Sequence, residues 1–133
     1  MANEAVIIEL NEHVDAKQYT CSAAVSISKG TLLKLSGDNT VMASSADSDV
    51  YAGVAAMDKD GDDSSTTISV YTPGQGHRFD MVCGGAGVTL GHLVSLSGAN
   101  VIKDATEAEV ITGDVIGRAE ETGSAGETIV VLS

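Results

Sequence analysis

Residues 64–83 read SSTTISVYTPGQGHRFDMVC, and this stretch decides the fold class of the chain. Apolar and polar side chains alternate over residues 66–71 and again over residues 78–83, which is the period of a strand with one buried face. The sequence PGQG between them, at residues 73–76, is typical of a turn. The stretch therefore predicts a β-hairpin over residues 66–79, and it places no catalytic side chain in an obvious working position.

The composition of the whole chain supports many short strands. The chain has 133 residues with 15 Gly and one Pro, and its aromatic residues are one Phe and three Tyr. A chain of this length normally forms one domain with a real core. That core must be built from small aliphatic side chains. One short helix is expected near residues 104–110, where good helix formers follow each other.

The sequence also contains an internal repeat. GTLLKLSG at residues 30–37 returns as GHLVSLSG at residues 91–98, and TISV at residues 67–70 returns as TIVV at residues 128–131. A single three-strand unit could hardly close a core alone. We therefore predict one β-rich domain, residues 21–133, containing a pseudo-repeat of residues 30–71 and 91–132. The glycine-rich residues 84–87 are expected to link the two units.

Residues 1–20 differ from the rest of the chain. Their apolar side chains follow neither the helical nor the strand period cleanly. A helix start, an edge strand and an extended arm all fit, and we favour an arm that becomes ordered on a partner. Its apolar contact residues would be Val6, Ile7, Ile8 and Leu10.

The charge of the chain excludes several classes of partner. The formal net charge is −12, from 19 acidic and 7 basic residues. Nucleic acid and anionic membranes bind through Lys and Arg, so neither is expected as a partner. No apolar run is long enough to span a membrane, and the acidic start is unlike a signal peptide, so the chain is expected to be made inside the cell. The acidity fits high solubility, a basic partner face or a salt-rich habitat.

The best metal candidate is the acidic stretch DKDGDD at residues 58–63. A calcium loop requires Gly at its sixth position and Glu at its twelfth, but here Gly61 is fourth and Ser69 is twelfth. A solvated loop is the simpler interpretation. His13, His77 and His92 lie too far apart for a zinc motif. We therefore expect no metal and no cofactor.

Motifs for enzymatic chemistry are not assembled either. The glycines at residues 84–91 lack the residues that complete a phosphate-binding loop, and no Gly-x-Ser-x-Gly motif occurs. Cys21 and Cys83 are far apart in sequence. They could pair, but two buried free thiols are the simpler expectation. We predict no catalytic residues and no enzymatic activity.

Residues 64–83 resemble the signature of the lambda-type head decoration proteins of tailed phages. In that signature a Ser-Thr-Thr strand ends in Tyr, and a Gly-containing turn leads to Arg, an aromatic residue and an apolar strand. The matching residues here are Ser65, Thr66, Thr67, Ile68, Val70, Tyr71, Gly74, Gly76, Arg78, Phe79 and Val82. The sequences GDVIGRA at residues 113–119 and GETIVVL at residues 126–132 are similar to the broader group of small phage capsid cement proteins.

This resemblance implies a mainly β fold: a small β-barrel or β-tulip-like domain with an extended N-terminal arm and at most one or two short helices. It implies a structural virion protein, made in the host cytoplasm, that forms homotrimers on the outer capsid surface. There the arm would bind the major capsid protein of the expanded shell and bridge neighbouring capsomers. The residues expected in the core or trimer contact of the hairpin are Thr66, Thr67, Tyr71, Arg78 and Phe79.

Two other interpretations stay open. A stand-alone β-rich module could bind carbohydrate or belong to a surface layer, although the scarcity of aromatic side chains argues against sugar binding. A small hydrolase would need a motif that the sequence does not assemble. Arg78 has two candidate roles, a salt bridge or stacking contact within the hairpin and a contact with another subunit.

Overall fold

The computed structural model describes residues 3–133, in which short β-strands dominate and one helix occurs. The mainly β class and the single short helix are confirmed. Among the described residues no helix is long and apolar enough to cross a membrane. The elements are β1 (Val6–Glu9), β2 (Lys17–Thr20), β3 (Leu32–Gly37), β4 (Thr40–Ala43), β5 (Tyr51–Ala55), β6 (Thr67–Tyr71), β7 (Arg78–Cys83), β8 (Leu93–Gly98), β9 (Val101–Asp104), α1 (Glu107–Thr112), β10 (Val115–Ala119) and β11 (Thr128–Leu132).

Strands β2 to β6 close into a first barrel in the order β2-β4-β3-β5-β6. All its pairings are antiparallel except β2 with β4, which meet in parallel at one pair, Thr20 and Thr40. The alternation in β6 explains its position, because Ile68 and Val70 point into the barrel while Thr67 stays exposed. The interior is filled by Cys21, Ile27, Leu33, Val41, Ala52, Ala55, Ile68 and Val70.

Strands β7 to β11 form a second, equivalent ring in the order β7-β11-β10-β8-β9, which the pairing of β9 with β7 closes. That closing contact is again parallel, and it joins Val82 to Val101 and Cys83 to Ile102. Strand β1 lies outside the ring and pairs antiparallel with residues 78–80 of β7. Since β1 ends the strand order, its second edge is free of partner strands within residues 3–133.

The two barrels have the same connectivity, strand for strand. Cys21 and Cys83 occupy equivalent positions, because their amides donate to Thr66 O at 2.9 Å and Glu127 O at 2.8 Å, just before the last strand of each barrel. Asn39 and Asn100 are the second residues of the two-residue turns that join β3 to β4 and β8 to β9, with φ 52° and 57°. The repeat in residues 30–71 and 91–132 covers four strands of each barrel, and β2 and β7 precede those stretches.

The predicted hairpin over residues 66–79 is wrong. Strand β6 pairs with β2 and β5, whereas β7 pairs with β1, β9 and β11, so the two strands belong to different barrels. The residues between them, 72–77, therefore connect the barrels. Gly76 and His77 both donate their amides to Ser133 O, at 2.9 and 3.0 Å, and these bonds draw the chain toward the end of β11.

The predicted link at residues 84–87 is also wrong, because this stretch does not join the two barrels. This stretch follows β7 within the second barrel, where Gly84 donates its amide to Ile102 O at 2.6 Å. Glycine at residue 84 avoids a clash, because a Cβ there would lie 2.7 Å from Ser97 Oγ and 2.9 Å from Ser97 Cβ. The stretch extends the seam between β7 and β9 by one residue.

The barrels pack directly on each other. Leu32, Tyr51 and Val54 point outward from the first barrel and join the hydrophobic core of the second. Polar contacts run beside them: the Leu32 amide donates to Asn100 Oδ1 at 2.9 Å, and the Asn100 amide donates to Ser44 Oγ at 3.1 Å. Residues of the first barrel therefore help to build the hydrophobic core of the second, while the first barrel keeps a separate interior cluster.

Candidate functional site

The N-terminal segment, defined here as residues 3–14, has one bound face and one free face. Strand β1 turns Ile7 toward the core of the second barrel, and Leu10 packs there as well. Val6 and Ile8 point the other way and are 59% and 47% exposed. An exposed edge strand with apolar side chains is a template for another strand.

Hydrogen bonds at both ends hold this segment. The Ala5 amide donates to Gly30 O at 2.7 Å. At the other end, the Asn11 amide donates to His77 Nδ1 at 3.0 Å and its side-chain Nδ2 donates to Gln75 O at 2.9 Å. Of the three alternatives for this part of the chain, the edge strand is the one observed. The segment is extended, but it lies along the body because Ile7 and Leu10 gain burial there.

The predicted arm boundary at residue 20 also needs correction. Residues 17–20 form β2, whose four residues pair with residues 67–70 of β6 inside the first barrel. Removing them would open that barrel. The part of the chain that lies outside the barrels is therefore shorter than the predicted arm, and the predicted contact residues Val6, Ile7, Ile8 and Leu10 all fall within it.

The ring of His77 joins the N-terminal segment to the connector between the barrels. It is fully buried beside Tyr71, with 5.2 Å between ring centroids, and beside Phe79, at 6.1 Å. Burial lowers the pKa of His77 below its ordinary value of 6.5. The ring is therefore neutral, with Nδ1 as acceptor and the proton on Nε2. In the sequence, His77 stands only as one of three histidines that lie too far apart for a zinc motif, and nothing there predicts its contacts with the rings or with Asn11.

The residues predicted for the hairpin fall into two groups. Tyr71, Arg78 and Phe79 lie together at the junction of the barrels. There Arg78 Nε pairs with Glu120 at 2.9 Å and, more loosely, with Glu9 at 3.8 Å. Thr66 and Thr67 lie at the other end of β6, where the Thr66 carbonyl accepts the Cys21 amide. Of the two candidate roles of Arg78, the structure shows the salt bridge within the chain.

The acidic loop at residues 58–63 is organised around a buried lysine. Lys59 Nζ donates to Ala23 O at 3.1 Å, to Val25 O at 3.0 Å and to Asp60 O at 3.3 Å. The carboxylates of the loop do not converge, and residues 3–133 contain no group of three or more side chains placed to hold a metal ion. The loop thus anchors residues 23–26 to the first barrel.

The two cysteines are free and buried, as the sequence predicted. Burial raises the pKa of both Cys21 and Cys83. A raised pKa keeps the thiol protonated at neutral pH, and a protonated thiol is a poor nucleophile and a poor metal ligand. Their position in two separate barrels explains why they do not pair.

Glu109 is a buried carboxylate that sequence reasoning missed. Its Oε2 accepts from Ser48 Oγ at 2.7 Å in the first barrel and from Ser95 Oγ at 3.1 Å in the second, and Lys103 Nζ lies 3.2 Å away. Burial alone would raise its pKa, but these contacts and the Thr106 amide lower it to about 2. The sequence signal was weak, because a Glu in the first turn of α1 also fits a simple capping role.

Comparison with known proteins adds one informative likeness. No protein-family model and no curated protein matches the chain. Among solved structures, the chain is similar to the head fiber gp8.5 N base of bacteriophage phi29, with a TM-score of 0.53 and 16% sequence identity. The match covers 88% of this chain and 91% of that one. The two proteins share a fold.

The arrangement of the N-terminal segment is suited to binding a partner strand. The exposed features of the N-terminal segment are an unpaired strand edge and apolar side chains, which together can add to a β-sheet of a partner. The titratable groups gathered beside it, His77 and the pair of Arg78 with Glu120, are occupied in holding the segment to the body.

Proposed function

We propose that this protein is a structural component of a phage virion that binds the outer surface of the expanded capsid as a homotrimer. It bridges neighbouring capsomers through the major capsid protein and stabilises the shell, without enzymatic activity. The observation that carries the proposal is the likeness, over 88% of the chain, to a protein described as a phage head fiber base. The resemblance of residues 64–83 to the signature of lambda-type head decoration proteins points to the same class of protein.

The N-terminal segment is the proposed contact with the coat. Val6 and Ile8 offer apolar surface, and the free edge of β1 offers backbone hydrogen bonds to an extended loop of the capsid protein. Since β1 is already ordered on the body, binding does not have to order a loose arm, and the entropy that opposes association is smaller.

Three copies of this edge in one trimer would act together. Linked sites raise the effective concentration of the second and third contacts, so that weak single contacts give firm attachment. A protein that binds only the expanded shell stabilises that shell by linkage. Decoration should therefore raise the temperature at which expanded heads rupture.

The test measures binding to bare expanded heads of the phage that encodes the protein. Wild-type protein should saturate the heads with a fixed number of copies per shell, counted after sedimentation. The double variant Val6→Glu, Ile8→Glu places two charges on the free face of β1 and should lose at least 90% of bound copies. Met57→Glu is the matched control, because Met57 is similarly exposed in the loop between β5 and β6.

Equal binding of the double variant and the control would remove the N-terminal segment from the proposed contact. Failure of the wild-type protein to bind expanded heads at all would refute the capsid function itself. Circular dichroism of each variant checks that the fold is kept.

The alternative of a carbohydrate-binding module gains no support from the structure. Sugar sites use exposed aromatic rings, but Phe79 and Tyr51 are buried, and Tyr19 and Tyr71 are partly buried against the two cores. Residues 3–133 therefore present no open aromatic platform.

A further inference from the structure

The contact between the two barrels is made by two different faces. The first barrel contributes a donor face, made of Leu32, Tyr51, Val54 and the loop that contains Ser44 and Ser48. The second barrel contributes what we call the acceptor face, the end of the β8–β9 hairpin, with Leu96 on the inner side, Asn100 in the turn and Lys103 on the outer side. There the Ser48 amide also reaches Leu96 O at 3.0 Å. A contact between unlike faces is heterologous.

Because the barrels are equivalent, each also carries the face that it does not use. Strand register identifies the counterparts: Leu33 opposes Gly53 in the first barrel as Val94 opposes Gly117 in the second. The second barrel thus has a free donor face, made of Leu93, Val115, Arg118 and the exposed side of α1, whose buried side reaches Ser48 of the first barrel through Glu109. The first barrel has a free acceptor face on the β3–β4 hairpin, made of Leu35, Asn39 and Met42.

Burial shows that these two counterpart faces are uncovered. Leu32 is 0% exposed in the donor face, and its counterpart Leu93 is 42% exposed. Leu96 is 0% exposed in the acceptor face, and its counterpart Leu35 is 40% exposed. Two positions that are covered inside the molecule therefore remain open on its surface.

We propose that a second copy of this chain covers them: the free donor face of one copy binds the free acceptor face of the next. The contact reuses the arrangement seen between the barrels, with Leu93 placed against Asn39 as Leu32 is placed against Asn100. This head-to-tail contact rests on the self-association included in the proposed function and specifies the surfaces that make it.

At equivalent positions, the residues of the two free faces differ from those of the two covered faces, and the changes on one free face are complementary to those on the other. In the covered contact, Lys103 of the acceptor face pairs with Asp47 of the donor loop at 2.8 Å. On the free faces the counterpart of Lys103 is Met42, and the counterpart loop carries exposed Val110 and Ile111. A charge pair has thus been replaced on both sides by apolar groups, which would pack together in the new contact.

A second matched difference concerns charge. Val54, which opposes Leu32 on β5, corresponds to exposed Arg118, which opposes Leu93 on β10. Next to Asn39, the free acceptor face carries exposed Asp38. In the proposed contact Arg118 flanks Leu93 and Asp38 flanks Asn39, so the two opposite charges would lie at the edge of the same contact. Opposite charges at the edge of an apolar contact fix its register.

A heterologous contact of this kind is directional. It closes into a ring when the rotation between copies allows it and otherwise continues as a chain, but it never pairs a face with itself. That property separates it from a symmetric dimer.

The first experiment measures mass by light scattering in the absence of capsids. Wild-type protein should reach an integer multiple of 13.5 kDa above one. Leu93→Glu should return the protein to the mass of a single chain with an unchanged circular dichroism spectrum. Met57→Glu is the control, because it places the same charge on an exposed site outside both faces and should leave the wild-type mass. A wild-type mass of 13.5 kDa at every concentration, or an unchanged mass of Leu93→Glu, overturns the proposal.

The second experiment tests direction with a short bis-maleimide reagent. Cys21 and Cys83 are buried and should not react. Leu93→Cys alone and Asp38→Cys alone should give no cross-linked pair, whereas their mixture should give a product of twice the chain mass. Cross-linking of either variant with itself would indicate a symmetric contact and overturn the head-to-tail arrangement.

The two proposals fail in different ways. Cross-linking in the mixture by a protein that ignores expanded heads would keep the contact and refute the capsid function. A protein that decorates heads while the mixture stays uncross-linked would keep the function and refute the contact.

Discussion

The Nδ1 atom of His77 accepts the Asn11 amide at 3.0 Å, inside a pocket lined by the rings of Tyr71 and Phe79. The bond exists only while the ring is neutral, because protonation converts Nδ1 into a donor. One titratable side chain thus connects the N-terminal segment to the residues that join the barrels.

We expect the free energy of unfolding to fall on mild acidification because of this residue. The folded-state pKa lies below 6.5, so the unfolded chain takes up the proton first as the pH falls. Stability is therefore complete above pH 6.5, declines between that value and the folded pKa, and is level below it. The protection factor of the Asn11 amide against hydrogen exchange should fall as the pH approaches the folded pKa of His77, where the ring takes up the proton and the bond is lost.

Substitution separates this effect from general acid unfolding. His77→Gln keeps an acceptor but cannot titrate, and it should remove the decline in urea titrations between pH 7 and 5. His13→Gln, which changes an exposed histidine, should preserve it. An unchanged decline in His77→Gln would assign the proton uptake to another group.

At the scale of the strands, two equivalent glycines let each barrel close. A Cβ on Gly53 would collide with the carbonyl oxygen of Tyr71 at the end of β6, and a Cβ on Gly117 would collide with the carbonyl oxygen of Leu132 at the end of β11. In both barrels the fourth strand must approach the fifth at this point. These glycines begin the sequence triplets GVA at residues 53–55 and GRA at residues 117–119, one in each barrel.

Gly117→Ala should therefore destabilise the protein by about 3 kcal/mol, the upper part of the range for overpacking. Neighbouring backbone cannot move away without opening the pairing of β10 with β11. Gly85→Ala is the control, since a Cβ at that residue meets no atom within 4 Å. Chemical denaturation of both variants measures the difference, and equal stabilities would show that the strands can separate at little cost.

At the scale of the whole molecule, the side chains that the first barrel contributes to the core of the second are expected to make the two barrels one cooperative unit. Leu32 belongs to the first barrel but is buried among the core residues of the second. Leu32→Ala should lower the free energy of unfolding by about 3 kcal/mol, the usual effect of truncating a buried leucine. Loss of both barrels should occur in a single transition.

The matched control is Leu93→Ala, which truncates the same residue type at the equivalent, exposed position. Measured under conditions where the chain is monomeric, it should change stability by less than about 0.5 kcal/mol. Two separate calorimetric transitions in the wild-type protein would contradict this coupling of the two barrels.

Local pattern predicted the strands better than it predicted their partners. Alternation identified β6 and β7 from residues 64–83, and the repeat of GTLLKLSG identified β3 and β8. The hairpin failed because the two strands flanking residues 72–77 find partners far away in sequence, which no local signal records. The edge position of β1 was one of three alternatives, and only the tertiary contacts of Ile7 and Leu10 decide among them.

For the site residues too, local sequence pattern did not predict the tertiary contacts that decide their roles. The free surface of Val6 and Ile8 depends on which face of β1 the body covers, so periodicity alone could not locate it. His77 and Glu109 owe their roles to burial, and their sequence neighbourhoods resemble those of ordinary surface residues. The uncovered faces of the barrels became visible only when equivalent positions could be compared for exposure.

The division of the core between two barrels has a consequence for synthesis on the ribosome. The first barrel is complete when residue 71 has been translated, but the strands that cover Leu32, Tyr51 and Val54 follow later. Strand β1 likewise waits for residues 78–80. A nascent or prematurely terminated chain therefore exposes apolar surface that the later strands would cover. Stop codons placed between residues 72 and 128 should yield insoluble product instead of a soluble first barrel.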